Sequence, residues 1–145
     1  MAEPTHSPQH FRAELPRDTG EIHRFTGEVI GAAERMGYSK AARFAIRLAL
    51  EEAVSNAFKH GHAGLDPSLT LLAEAEVSPE EIRLVVQDRG PGFDPGAIAD
   101  PTLDENLDKP TGRGLMLIRA YMTRVEFNEA GNRIEMLYRP PDEHA

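Results

Sequence analysis

The segment LEEAVSNAFKHGH carries residues whose types and spacing could do chemistry. On a helix, Glu52 and Asn56 are one turn apart, so a carboxylate and an amide oxygen emerge side by side, with Lys59 on the same rim. The Asn56 amide is a hard oxygen ligand that suits Mg²⁺, which completes its shell with water and substrate phosphates. Glu52 could act as a general base or position a nucleophile. Taken alone, the pair is more often a solvated i,i+4 contact, since such pairs are routine on helices.

A second group, DRGPGFDP, directly follows a strand-like alternating pattern. Because side chains alternate along a strand, Asp88 shares a face with Leu84 and Val86, on the side where the helices pack. A carboxylate there needs a hydrogen-bond donor, and the exocyclic amine of adenine would supply one. Gly90 and Gly92 would let the backbone come close to a ligand. The alternative is an ordinary turn in which Asp88 caps its own loop.

A third group is TGRGLMLIRAYM, in which Gly112 and Gly114 mark the start of an amphipathic helix with Leu115 on its buried side. Backbone N–H groups at a glycine-rich helix start, aided by the helix dipole, bind phosphate well. Thr111 and Arg113 could add side-chain donors. Taken alone, a glycine-rich lead-in without a ligand is the commoner case. The three groups together, in this order, favour an ATP-binding protein far more strongly than any one of them.

Hydrophobic periodicity predicts the elements that must position these groups. Strand patterns occur in HFRAEL, SLTLLAEAEV, EIRLVVQD, RVEFNE and NRIEMLYR, and the last two form a hairpin. One helix is predicted from an N-cap at Asp18 to a stop at Gly37, and a second from an N-cap at Ser39 to a stop at Gly61. The order predicts an α+β fold: a two-layer α/β sandwich with a mostly antiparallel sheet and its helices packed on one face.

Length and composition exclude several classes of protein. The 145 residues predict one domain over residues 10–140, with flexible tails at 1–9 and 141–145. The net charge of −8 includes no basic patch for a nucleic-acid partner. The chain has no cysteine for a disulfide or a thiolate metal site. No apolar run approaches the roughly 20 residues that span a bilayer, so we expect a cytoplasmic protein that binds no membrane.

The three groups resemble the nucleotide-binding boxes of the GHKL ATPase superfamily. Glu52 to Asn56 matches its N box, Asp88 to Gly92 its G1 box, and Gly112 to Leu115 its G2 box. The short chain and its helical opening more closely resemble the anti-sigma-factor serine/threonine kinase branch, over residues 11–139. The resemblance implies a Bergerat-type ATP-binding fold.

The resemblance also implies a function and the roles of particular residues. In that branch the domain binds Mg-ATP, phosphorylates a serine of an anti-anti-sigma (STAS-domain) protein and in many members sequesters a sigma factor, and it often forms a homodimer. By resemblance, Asn56 would ligate Mg²⁺, Glu52 would act as base toward the partner serine, and Asp88 would recognise adenine. The remaining implied roles are pocket shape for Gly90 and Gly92, phosphate contacts for Gly112, Arg113 and Gly114, and an ATP lid over residues 95–111.

Two other functions fit the same residues. ATP could merely set the shape of a surface that captures a partner protein, in which case Glu52 would have no catalytic role. The chain could also be the detached catalytic domain of a histidine kinase whose phospho-accepting helix lies on another protein. We further expect His60, near the core edge of its predicted helix, to be a packing residue and not a catalytic one.

Overall fold

The computed structural model describes residues 7–62, 64–90 and 110–141, without the side chains of residues 110–113. In chain order the elements are β1 (Gln9–Leu15), α1 (Thr19–Arg35), α2 (Lys40–Asn56) with a π turn (Ala57–Gly61), β2 (Leu71–Val77), β3 (Ile82–Gln87), α3 (Pro110–Tyr121), β4 (Arg124–Phe127) and β5 (Arg133–Tyr138). Within those ranges every helix is too short or too polar to span a bilayer.

The five strands form one antiparallel sheet in the order β1-β2-β3-β5-β4. Burial alternates along β2, as it does when one sheet face is covered and the other meets solvent. The covered face packs against α1 and α2. This arrangement confirms the predicted α+β two-layer sandwich, with an antiparallel sheet and its helices on one face.

Both predicted N-caps are confirmed. The Asp18 side chain accepts a hydrogen bond from the Glu21 N–H at 3.0 Å, and Ser39 accepts one from the Ala42 N–H at 3.0 Å. Each bond satisfies one of the donors that an α-helix leaves free at its start. Gly37 has a φ of 88°, so it ends α1 in the left-handed conformation that glycine adopts at little cost.

Helix α2 is held by its apolar arc, and this fixes the direction of its polar rim. The predicted core positions of α2 and its π turn are all at most 8% exposed: Ile46, Leu50, Ala53, Val54, Ala57 and Phe58. Full burial of each of the larger side chains in this set stabilises the fold by about 1.5–3 kcal/mol. Because the arc is fixed against the sheet, Glu52 and Asn56 stay half-buried at its edge.

The two helices that carry the candidate residues differ in detail from their predictions. The helical segment does end at Gly61, but its last turn is a π turn, and Gly61 does not have a positive φ; Gly64 does, at 78°. The third helix, predicted from Gly112, begins two residues earlier, at Pro110. Proline suits a first helical position, since its missing N–H has no partner to lose there.

Replacing Ser39 tests the start of α2. Ser39→Ala should lower the free energy of unfolding by about 1 kcal/mol, because the Ala42 N–H loses its acceptor. Ser39→Asp should restore it, since aspartate is an equally good N-cap. Urea unfolding followed by circular dichroism measures both, and equal midpoints for Ser39→Ala and wild type would contradict the capping role.

Candidate nucleotide-binding site

Gly114 brings the first residues of α3 against the polar rim of α2. A Cβ atom at position 114 would lie 2.7 Å from Asn56 Nδ2 and 3.0 Å from Glu52 Oε2. Real Cβ atoms essentially never come closer than 3.0 Å to such neighbours. A side chain at position 114 would push the ends of Asn56 and Glu52 aside, so glycine permits this contact, which joins the first and third groups found in the sequence.

The start of α3 also presents free backbone donors. The first four N–H groups of an α-helix have no partner inside the helix, and Pro110 has no N–H to offer. Among the described residues, the free donors of α3 therefore belong to residues 111 and 112, close to the contact at Gly114. Leu115 is 5% exposed and packs in the hydrophobic core, so it anchors this helix start. The side chains of Thr111 and Arg113 lie outside the described residues.

Asp88 leaves β3 on the helical side of the sheet, as predicted. Its carboxylate lies against Gly61, where a Cβ atom would overlap it. The Gly90 N–H donates to Asp88 Oδ1 at 2.7 Å, and in the described part of the chain it is the one donor to this carboxylate. Glycine at position 61 allows this close approach, and the carboxylate keeps lone pairs that can accept a further hydrogen bond, such as one from an adenine amine.

Burial raises the pKa of Asp88 above its ordinary value, while the Gly90 hydrogen bond and the nearby His62 oppose that rise. The hydrogen bond and His62 therefore make up for only part of the hydration that the carboxylate loses on burial. A group whose ionised form is costly in a cleft is typical of functional sites.

Asn132, in the turn between β4 and β5, fixes the backbone that follows Asp88. Its side-chain amide donates to the Gly90 carbonyl at 3.2 Å, and its own carbonyl accepts from the Asp88 N–H at 2.9 Å. Gly90 also touches the Gly61 carbonyl so closely that a Cβ atom would overlap it. The loop after β3 is thus held between the π turn and the final hairpin. Gly92 lies outside the described residues, as do residues 95–109 of the expected lid.

His62 is a structural residue of this site that the sequence did not reveal. It is 7% exposed, and its Nε2 accepts a hydrogen bond from the Arg89 N–H at 2.9 Å, which puts the ring hydrogen on Nδ1. Its ring stacks edge-on against Phe58, with centroids 5.6 Å apart. His62 therefore ties the π turn to the loop that begins at Asp88.

The packing role predicted for His60 is wrong, because His60 is exposed. The π turn is the reason: its hydrogen bonds join residues five apart, as in the 2.9 Å bond from the His62 N–H to the Ala57 carbonyl. This wider turn rotates each following side chain away from its α-helical position. Lys59 is likewise exposed, at a surface cavity of about 290 Å³ that is also lined by Arg17 and His62.

Residues 13–138 match the family described as the Histidine kinase-like ATPase domain. The chain belongs to this family. Two curated relatives are the Serine-protein kinase RsbW of Staphylococcus aureus and the Serine/threonine-protein kinase BtrW of Bordetella bronchiseptica. RsbW is 32% identical over 97 residues, which cover 62% of this chain and 61% of RsbW. BtrW is 30% identical over 97 residues, which cover 66% of this chain and 68% of BtrW.

A solved structure has the same fold. The crystal structure of the RsbU and RsbW domains of a Mycobacterium tuberculosis protein superposes with a TM-score of 0.61, over 94% of this chain and 34% of that one, at 18% identity. The relatives confirm the GHKL resemblance and support the anti-sigma-factor kinase branch. The chain spans about 61% of the length of the RsbW relatives it matches.

The described residues of this Histidine kinase-like ATPase domain fit the nucleotide that such a domain implies. The site offers a cradle that a Cβ atom at Gly114 would fill, and a carboxylate at Asp88 that can accept a further hydrogen bond. Within residues 7–62, 64–90 and 110–141, no group of three His, Asp or Glu side chains could hold a metal ion. Asn56 would offer a Mg²⁺ ion an amide oxygen, a hard ligand that suits this ion beside water and phosphate oxygens.

The Gly114 contact can be tested with a matched pair of glycines. Gly114→Ala should lower ATP affinity at least about tenfold, because the new methyl group displaces Asn56 and Glu52 by a distance to which a preorganised site is sensitive. Gly27 lies on the outside of α1, where an added Cβ would meet no atom within 4 Å, so Gly27→Ala should keep ATP affinity and raise stability by about 0.5–1 kcal/mol. Calorimetric titration with Mg-ATP measures the affinity of both variants. A wild-type affinity in Gly114→Ala would show that the contact at Gly114 does not shape the ATP site.

The raised pKa of Asp88 predicts that its negative charge lowers the stability of the protein, although ATP binding needs it. Because the folded-state pKa lies above the unfolded one, the contribution of Asp88 to stability is greatest below the unfolded pKa and is lost as the pH rises through the folded pKa. Asp88→Asn removes that loss and keeps an oxygen for the Gly90 N–H.

Asp88→Asn should therefore be more stable than wild type at pH 7, by a margin that shrinks toward pH 4, and should lose ATP binding. Urea unfolding of the nucleotide-free proteins at several pH values checks the first part and calorimetry the second. A variant less stable than wild type at pH 7 would show that the charge is well compensated.

Proposed function

We propose that this chain is a Mg-ATP-dependent serine/threonine protein kinase of the anti-sigma-factor type, which phosphorylates a serine of an anti-anti-sigma (STAS-domain) partner and captures a sigma factor. The observation that carries the proposal is the contact of Gly114 with Glu52 and Asn56. It sets a carboxylate beside the helix start whose free N–H groups suit phosphate. The kinase names of the relatives RsbW and BtrW support it.

Each residue of the candidate site has a distinct role in this proposal. Asp88 accepts the adenine amine, while Gly90 allows the base to approach the backbone. The free backbone N–H groups of residues 111 and 112 bind the phosphates, Gly114 keeps this helix start close to α2, and Arg113 adds a side-chain donor. A Mg²⁺ ion bound by the Asn56 amide oxygen would neutralise phosphate charge.

Glu52 acts on the partner protein. Its carboxylate accepts the proton of the serine hydroxyl as the serine oxygen forms its bond to the γ-phosphorus. The bond from that phosphorus to the β–γ bridging oxygen breaks, and ADP carries away the electron pair. Catalysis of this kind depends chiefly on positioning and charge stabilisation, which the fixed rim of α2 supplies.

Substitution of Glu52 separates binding from catalysis. With STAS-domain proteins from the same genome and radiolabelled Mg-ATP, wild type should yield phosphoserine, located by mass spectrometry. Glu52→Gln should keep ATP affinity and lower the transfer rate by about 10²-fold or more, since a general base contributes that much. Asn56→Ala should lose Mg-dependent nucleotide binding.

The neighbouring Glu51 is a matched control. It is half-buried, its carboxylate lies 3.9 Å from the Arg47 guanidinium, and the atoms nearest a Cβ at Gly114 belong to Asn56 and Glu52, so Glu51→Gln should keep both properties. Equal transfer by Glu52→Gln and wild type would remove the catalytic role. If ATP binds and no STAS domain is phosphorylated, the kinase proposal is wrong and a regulatory ATP-binding module remains.

A further inference from the structure

The surface cavity of about 290 Å³ beside the π turn lies away from the contact at Gly114. Its walls come from the connection between β1 and α1, from the π turn with His62, and from the connection that leads to β2. Helix α1 packs near the β1 edge of the sheet and α3 near the β4 edge, with α2 between them. Arg17 therefore reaches the cavity from the β1 side of α2, whereas Gly114 meets α2 from the β4 side.

Two cations line the cavity, Arg17 and Lys59, and neither forms an ion pair within the described part of the chain. The Arg17 guanidinium donates to the Phe58 carbonyl at 2.6 Å and lies 5.4 Å from the centre of the Phe58 ring. These contacts hold the guanidinium at the cavity while most of its five N–H donors stay free. Among the described residues that line the cavity, none is acidic.

The acidic side chains next to these segments have other partners. Asp18 accepts the N-cap hydrogen bond of α1, and Asp66 accepts two hydrogen bonds from Ser68 in its own turn. Asp88 lies against Gly61 and accepts from the Gly90 N–H. The positive charge at the cavity is therefore free to meet a ligand.

His62 adds a recessed donor to the same cavity. It is 7% exposed, and its Nε2 accepts from the Arg89 N–H, which leaves the ring hydrogen on Nδ1. The Nδ1–H donates to no described residue, yet every fully buried side-chain nitrogen or oxygen in the described ranges has a partner. Nδ1 therefore reaches the space of the cavity, where a recessed donor needs an acceptor from outside the chain.

We propose that this cavity binds the phosphate group of a compact molecule through Arg17, Lys59 and His62. A guanidinium fork matches the geometry of phosphate oxygens, and two cations balance the roughly two negative charges of a phosphate monoester near pH 7. The volume lies at the lower end of the range for small-molecule sites. The other walls can pack against an apolar part of the ligand: Phe58, Leu65 and Pro67.

A small molecule fits this cavity better than a protein surface does, because the third donor is recessed behind the two exposed cations. The ring of His62 also connects the cavity to the candidate nucleotide site. One ring nitrogen faces the cavity and the other holds the Arg89 N–H, next to Asp88. A bound phosphate would fix the ring hydrogen on Nδ1 and so keep Nε2 as the acceptor for that loop.

Nuclear magnetic resonance of the nucleotide-free, ¹⁵N-labelled protein tests the site with phenyl phosphate. The backbone amides of Lys59 and Gly64 should shift, and the His62 Nδ1–H signal should sharpen, because a hydrogen bond to phosphate slows its exchange with water. Benzyl alcohol, an uncharged molecule of similar shape, should produce none of these changes. Inorganic phosphate distinguishes the two sources of the group: binding as tight as that of phenyl phosphate assigns the site to free phosphate, and weaker binding assigns it to an organic phosphate.

Charge removal tests the two cations. Arg17→Gln/Lys59→Gln should weaken phenyl phosphate binding at the cavity by about tenfold or more, since it removes two charge-assisted donors. The control Arg12→Gln/Arg24→Gln removes the same charge from exposed positions on β1 and α1, and should leave this Kd unchanged at physiological salt. Lys59→Gln alone keeps the bond between Arg17 and Phe58, so it provides the test if the double variant does not fold, which thermal unfolding checks.

Three outcomes overturn the phosphate site: no shift at Lys59 or His62 up to the solubility of phenyl phosphate, equal shifts with benzyl alcohol, or wild-type affinity in Arg17→Gln/Lys59→Gln. The titration is repeated with saturating Mg-ATP, which covers the start of α3. Shifts that persist support a separate site, and shifts that Mg-ATP abolishes overturn it. A chain that binds no ATP would contradict the proposed kinase and leave the nucleotide-free titration as the test of the cavity.

Discussion

No side chain separates α2 from α3 at Gly114, and the amide of Asn56 and the carboxylate of Glu52 occupy the space that one would take. The other sides of both helices are fixed in the core, α2 through residues such as Leu50 and α3 through Ile118. Interiors packed this closely do not rearrange at low cost. The separation of the two helices therefore sets where the polar rim of α2 lies relative to the free N–H groups of α3.

The chain is packed just as closely at the other end of the site, and this packing lowers stability there. Gly61 and Gly90 lie so close to each other and to Asp88 that both positions exclude a side chain. Burial raises the pKa of the Asp88 carboxylate, because one backbone N–H replaces only part of its lost hydration. A π turn at the same place is a further departure from regular structure, and such turns are frequent at functional sites. The fold tolerates these local costs because α2 is well buried.

The sequence predicted the elements well, since each had a local physical signal. Asp18 and Ser39 are capping residues, and the apolar positions of α2 follow helical spacing, so the two helices and their buried faces could be found in advance. The Bergerat-type sandwich followed from the order of the elements and from the resemblance. The side of the sheet on which Asp88 lies followed from strand alternation.

What the sequence could not predict depends on contacts between distant segments. The roles of Gly61 and Gly114 in close approach, and of Asn132 in holding the Gly90 carbonyl, join residues that are far apart in the chain. His62 is buried and His60 is exposed because of one π turn, which no local sequence pattern predicts. Such features arise from tertiary packing, which local periodicity does not record.

The bond between Asn132 and Gly90 has a consequence for the order of events during synthesis. Asp88 and Gly90 depend on a turn made some forty residues later, and β3 must pair with β5, which ends at Tyr138. A chain that lacks the second hairpin strand has every box of the nucleotide motif but lacks the support that positions the Asp88 carboxylate. A preformed nucleotide site therefore requires that β5 has closed the sheet. In that sense the bound nucleotide would act as a check on completed folding.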